Sequence, residues 1–108
     1  MKKLSLLEEI EVYKQAIRVK PDCADAHCNL GVAYDKLDRY QDAIEAYKQA
    51  IRIKLDLAEA HCNLGTAYDN LGRYRDAIES YKQAIKIKPD LAEAHCNLGV
   101  AYDRLERH

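Results

Sequence analysis

The sequence predicts an all-α chain of about six helices, paired antiparallel and stacked as an α-solenoid, on three observations. Residues 26–59 and 60–93 align without a gap and differ at only seven of 34 positions, and residues 94–108 begin a further copy. A period in the range of roughly 20–50 residues marks a stacked array, because one such unit cannot bury its apolar face alone. Within each period, apolar and small residues recur at steps of three and four, the spacing of a helix face, and no segment alternates as a strand would. Proline and glycine then punctuate the period where helices should end.

Taken in order, residues 5–20 carry Tyr13-Lys14-Gln15-Ala16-Ile17, the match of Tyr47-Lys48-Gln49-Ala50-Ile51 and Tyr81-Lys82-Gln83-Ala84-Ile85. They form the second half of a repeat. Residues 24–37 place Ala26, His27, Leu30, Gly31, Ala33, Tyr34 and Leu37 on one inward face. Residues 40–54 do the same with Tyr40, Ala43, Ile44, Tyr47, Ala50 and Ile51. Helices over 58–71, 74–88 and 92–106 repeat the scheme. The chain is thus expected to be one domain: 1–23 a half repeat, 24–57 and 58–91 full repeats, and 92–108 a first half.

Asp22, Asp56 and Asp90 each stand three residues before a carboxylate, Asp25, Glu59 or Glu93, which predicts a capping box with Asp in the Ser/Thr role. Pro21 and Pro89 stop the second helix of a pair, and Gly72 suits a left-handed turn after Leu71. Asp38 and Glu106 replace that glycine, at a cost of up to about 1 kcal/mol each where the backbone is left-handed. Leu55 replaces the proline and removes the main obstacle to a continuous helix through 40–71. The turn is nonetheless expected, because straightening forfeits the contacts between consecutive helices.

With 108 residues, 17 basic and 18 acidic side chains and a net charge of −1, the chain is a small domain without a basic run, which argues against nucleic acid. No apolar stretch approaches the ~20 residues of a membrane span. Met1-Lys2-Lys3-Leu4-Ser5 starts like a signal peptide, but Glu8, Glu9 and Glu11 interrupt it. Four cysteines without a secretion signal read as reduced thiols in a cytoplasmic protein.

Gly31, Tyr34, Tyr40, Ala43, Tyr47, Ala50 and the prolines at 21 and 89 together resemble the signature of the tetratricopeptide repeat (TPR) family over essentially the whole chain. The resemblance implies a right-handed superhelix of helix pairs, with the first helix of each pair lining a concave groove. It also implies a scaffold for protein–protein interaction.

The recurring Ala-His-Cys-Asn-Leu-Gly segment raises the question of metal or thiol chemistry. Zinc requires ligands ~2.0–2.3 Å from one ion, whereas equivalent residues of stacked repeats lie about 8–10 Å apart. His27, His61 and His95 therefore cannot share a metal, and each is expected to be a partly buried ring packed within its helix pair. Adjacent His and Cys diverge by about 100° around a helix, so Cys28, Cys62 and Cys96 lack an oriented base. The reading is no enzyme, no metal and no cofactor.

The residues expected to face outward on the first helices are the candidates for ligand contact. Asn29, Asn63 and Asn97 offer amides that both donate and accept, suited to the backbone of an extended peptide. This row is similar to the asparagine ladder of O-linked N-acetylglucosamine transferases, in the groove only. Beside it lie Cys28, Cys62 and Cys96, then Val32, Thr66 and Val100. Asp35, Asp69 and Asp103, with Asp25, Glu59 and Glu93, form acidic rows; the latter three also serve the dipole of a helix N-terminus. The carboxylate clamp with which TPR modules grip acidic chaperone tails is not matched, since Cys28, Val32, Glu93 and Asn97 stand at its positions and only Asn63 fits. A neutral or basic extended segment is the expected partner.

The alternative is a self-assembling module. Ile10, Tyr13 and Ile17 on the first helix and Leu98, Tyr102 and Leu105 on the last lack a neighbouring helix to cover them. The first helix has the sequence of the one that would follow the last, so copies could join head to tail as a homo-oligomer.

Overall fold

The computed structural model describes residues 5–107; Met1–Leu4, which opens like a signal peptide, and His108 lie outside them. Among the described residues six helices follow one another: α1 (Leu6–Val19), α2 (Ala24–Lys36), α3 (Tyr40–Ile53), α4 (Ala58–Asn70), α5 (Tyr74–Ile87) and α6 (Ala92–Glu106). No strand occurs among the described residues. Every helix end lies within one residue of the sequence expectation.

The helices start differently from expectation. The N-caps of α2, α4 and α6 are Cys23, Leu57 and Leu91, and none makes a side-chain cap bond. Asp22, Asp56 and Asp90 each lie one residue too early. Asp22 and Asp90 sit within a tight turn closed by Cys23 N–H donating to Lys20 C=O (3.2 Å) or Leu91 N–H to Lys88 C=O (3.1 Å). The proline before each aspartate favours that turn, so the turn takes the place of the capping box. A true capping box occurs on α1, where Glu8 N–H donates to Ser5 Oγ and Ser5 N–H donates to Glu8 Oε1, both at 3.2 Å.

The ends of α2 and α4 are alike. Asp38 N–H donates to Asp35 C=O and Arg39 N–H to Tyr34 C=O, both at 3.0 Å; Gly72 and Arg73 repeat the pair on Asp69 and Tyr68. This double closure satisfies two carbonyls that a helix end leaves open. It requires a left-handed residue, and Asp38 (φ 59°) and Gly72 (φ 76°) supply it. Glu106, in contrast, is the last residue of α6, and Arg107 after it keeps right-handed geometry, so no left-handed cost falls there. At Leu55 the helix stops without a proline. Lys54 is extended (φ −138°, ψ 104°), as are Lys20 (−137°, 87°) and Lys88 (−132°, 89°), the residues before Pro21 and Pro89.

The chain divides into two compact units, one ending at Leu55 and one beginning at Asp56. In the first, α2 packs against both α1 and α3; in the second, α5 packs against both α4 and α6, and α4 also touches α6. Each unit is keyed by a tyrosine on a glycine. A Cβ at Gly31 would stand 2.5 Å from the Tyr47 ring, and one at Gly65 would stand 2.6 Å from the Tyr81 ring. Both tyrosines are fully buried, and Leu30, Tyr34 and Ala43 in the first unit and Leu64, Tyr68 and Ala77 in the second are buried as well. A mid-helix glycine costs about 1 kcal/mol against alanine, which the burial of a whole aromatic ring offsets.

Candidate functional site

The first helices present their side chains unequally. On α2, Asn29 is exposed while Cys28, Val32 and Asp35 are half-buried. Asp35 is tied inward, because Tyr47 O–H donates to its Oδ2 at 2.6 Å. Its other oxygen, Oδ1, is buried without a hydrogen bond. Burial pushes the Asp35 carboxyl above the usual range, opposed by the Tyr47 bond. The same burial, reinforced by that bond and by the carboxylate charge, holds the Tyr47 phenol far above its usual value.

In the second unit the outward expectation is corrected at two positions. Cys62 is buried, and so is Asp69. Both are covered because α6 lies against α4. Asn97 of α6 hydrogen-bonds the Cys62 thiol, and burial, with the charge of Glu93, pushes that thiol up to about 11. Arg104 of α6 pairs with Asp69 Oδ2 at 2.9 Å, while Asp69 Oδ1 is buried and unbonded. Asn63 and Thr66 are half-buried; Cys96, Val100 and Asp103 are exposed. Thr66 O–H donates to Cys62 C=O (3.2 Å) and accepts from Tyr81 O–H (3.3 Å). Burial holds the Tyr81 phenol up at about 12. Glu59 reaches Lys88 at 3.6 Å with both side chains exposed, a pair worth little in stability.

The histidines act locally. His27 Nε2 lies 3.0 Å from Pro21 C=O and His95 Nε2 lies 2.7 Å from Pro89 C=O. A carbonyl only accepts, so Nε2 carries the proton, and each ring ties its helix to the preceding turn. His27 and His61 are half-buried, whereas His95, expected to be partly buried, is exposed. Among the described residues no three His, Cys, Asp or Glu side chains gather as metal ligands would. No described helix is long and apolar enough to cross a membrane.

Of the terminal residues singled out from sequence, Ile10 is corrected: at 3% exposure it is already covered within its own unit. Tyr13, Ile17, Leu98 and Leu105 are half-buried, and Tyr102 is exposed.

These helix pairs, glycine-seated tyrosines and paired turns coincide with a known repeat. A family model described as tetratricopeptide repeat matches residues 24–56, and one described as TPR repeat matches residues 70–105. The chain belongs to the tetratricopeptide-repeat family. That places this TPR chain among protein–protein interaction modules. No curated protein matches it. Among solved structures, a crystal structure of MamA is similar at 35% identity and a TM-score of 0.88, over 91% of this chain and 57% of that one. A second MamA structure is similar at 35% identity and 0.87, over 90% and 53%. The TPR chain thus spans little more than half the length of these relatives. The second TPR domain of human RPAP3, in complex with the HSP70 peptide SGPTIEEVD, is similar at 25% identity and a TM-score of 0.87, over 90% of this chain and 81% of that one.

Sequence reasoning passed over Tyr47 and Tyr81 as polar anchors and Arg104 as the partner of Asp69. The Arg104 contact joins residues 35 apart, one more than the period, so inspection of equivalent positions does not find it.

Proposed function

We propose that the chain holds an extended, neutral or basic segment of a partner protein against the exposed faces of its first helices. The observation that carries this is the asparagine at one helical position in every copy, Asn29, Asn63 and Asn97, with an amide able to pair with a peptide N–H or C=O. Asn29 is exposed, Asn63 is half-buried, and Asn97, also half-buried, bonds the Cys62 thiol as well. Val32, Thr66 and Val100, one turn on, supply small contacts for side chains. Cys28 and Cys96 flank the asparagines, while Cys62 serves packing. The similar RPAP3 domain, which is in complex with a peptide, supports the general mode.

Charge supports the choice of segment. Asp25, Glu59, Glu93 and Asp103 are exposed on the first helices, and they would repel an acidic tail. Calorimetry with SGPTIEEVD and with a charge-reversed SGPTIKKVK tests this. Binding is expected only for the reversed peptide, weakening as salt rises and reduced in N29A/N63A. Equal or tighter binding of the acidic peptide refutes the reading.

A further inference from the structure

Among the described residues three helices are of the first-of-pair type, and only two of these carry a tyrosine on their glycine. Gly31 and Gly65 are buried, each beneath the ring of Tyr47 or Tyr81. Gly99, at the same position on α6, is exposed, and a Cβ there would meet nothing within 4 Å. Around it the face is open in the same register. Tyr102 is 41% exposed, against 7% for its counterparts Tyr34 and Tyr68. Leu98 is half-buried, whereas Leu30 and Leu64 are buried.

The complementary element lies at the other end. Tyr13 on α1 has the sequence surroundings of Tyr47 and Tyr81 but no glycine beneath it, and it is only half-buried. Val12 is 53% exposed, where Ala46 is 5% and Ser80 is 7%. Ala16 is exposed, where Ala50 and Ala84 are fully buried. Val12, Tyr13 and Ala16 on α1 thus stand at the positions of Ala46, Tyr47 and Ala50 on α3 and of Ser80, Tyr81 and Ala84 on α5, all of which are buried.

We propose that α1 of one copy docks on α6 of a second, with Tyr13 seated on Gly99 as Tyr47 is on Gly31. The occupant is a second copy because this chain itself carries both halves of a contact it already makes twice internally. The contact is heterologous and leaves an open end, so it builds chains rather than closed dimers. Glu9 limits it. Glu9 stands where Ala43 and Ala77 are fully buried, and burying its carboxylate without a partner opposes docking.

Sedimentation of the 108-residue chain over a concentration series tests the proposal. The mass of the wild type is expected to grow with concentration. Gly99→Ala should stay monomeric with unchanged helicity, since its methyl meets nothing in the monomer but would strike the incoming ring. Glu9→Ala should associate at roughly tenfold lower concentration. A wild type that remains monomeric throughout overturns the proposal, as does Gly99→Ala associating like the wild type.

Discussion

Asp35 is a residue whose role changed on passing from sequence to structure. Its place in a row of acids suggested a ligand contact, yet its carboxylate is half-buried, bonded to Tyr47, with one oxygen unpaired. Burial holds its pKa above the usual carboxylate range, so ionising it costs the folded state more than the unfolded chain. For an acid shifted upward, that penalty is full above the folded pKa, shrinks as pH falls through it, and vanishes below the unfolded value. Asp35→Asn keeps an oxygen that can accept from Tyr47 and removes the charge. The variant is expected to be more stable than the wild type at neutral pH, with the difference closing as pH approaches 4. Urea denaturation at pH 7 and pH 4 checks it, and a variant weaker than wild type at pH 7 counts against the burial argument.

Among elements, the helix ends divide what the sequence makes legible from what it does not. Helix lengths were readable because the three- and four-residue spacing and the stops after Lys20 and Lys88 are local. The caps were misplaced because the aspartate of the Asp-x-x-acid pattern falls one residue before the N-cap, in the turn between helices, at Leu55-Asp56 as at Pro21-Asp22 and Pro89-Asp90. Ser5-x-x-Glu8, a plain capping-box pattern, spans the start of α1. Burial of Cys62, Asp69 and Ile10 was not readable, since it depends on which neighbouring helix lies over each. The turn at Asp38 was readable, and it carries a stability cost. Asp38 holds φ 59° where Gly72 holds 76° in the equivalent turn. Asp38→Gly should stabilise the protein by up to about 1 kcal/mol, less what is lost with the exposed Tyr40 O–H bond to Asp38 Oδ1 (2.8 Å). The denaturation midpoint should rise without a change in slope.

For the molecule as a whole, one substitution made at three equivalent positions separates folding from assembly. At Gly31 or Gly65, alanine places a methyl within 2.6 Å of a buried tyrosine ring. Overpacking of that kind costs typically ~1–3 kcal/mol, so both variants should melt lower at every protein concentration. At Gly99 the same methyl meets nothing, and alanine is the better helix former, so dilute Gly99→Ala should melt no lower than wild type. Concentration supplies the second axis. A contact made by folded chains and not by unfolded ones stabilises by mass action, so the wild-type melting temperature should climb as the chain is concentrated. Gly99→Ala should show no such climb, because the ring of an incoming Tyr13 can no longer reach its seat. The two melting curves are therefore expected to cross, with Gly99→Ala at or above wild type when dilute and below it when concentrated. Parallel curves at all concentrations would leave α1 and α6 without a common interface.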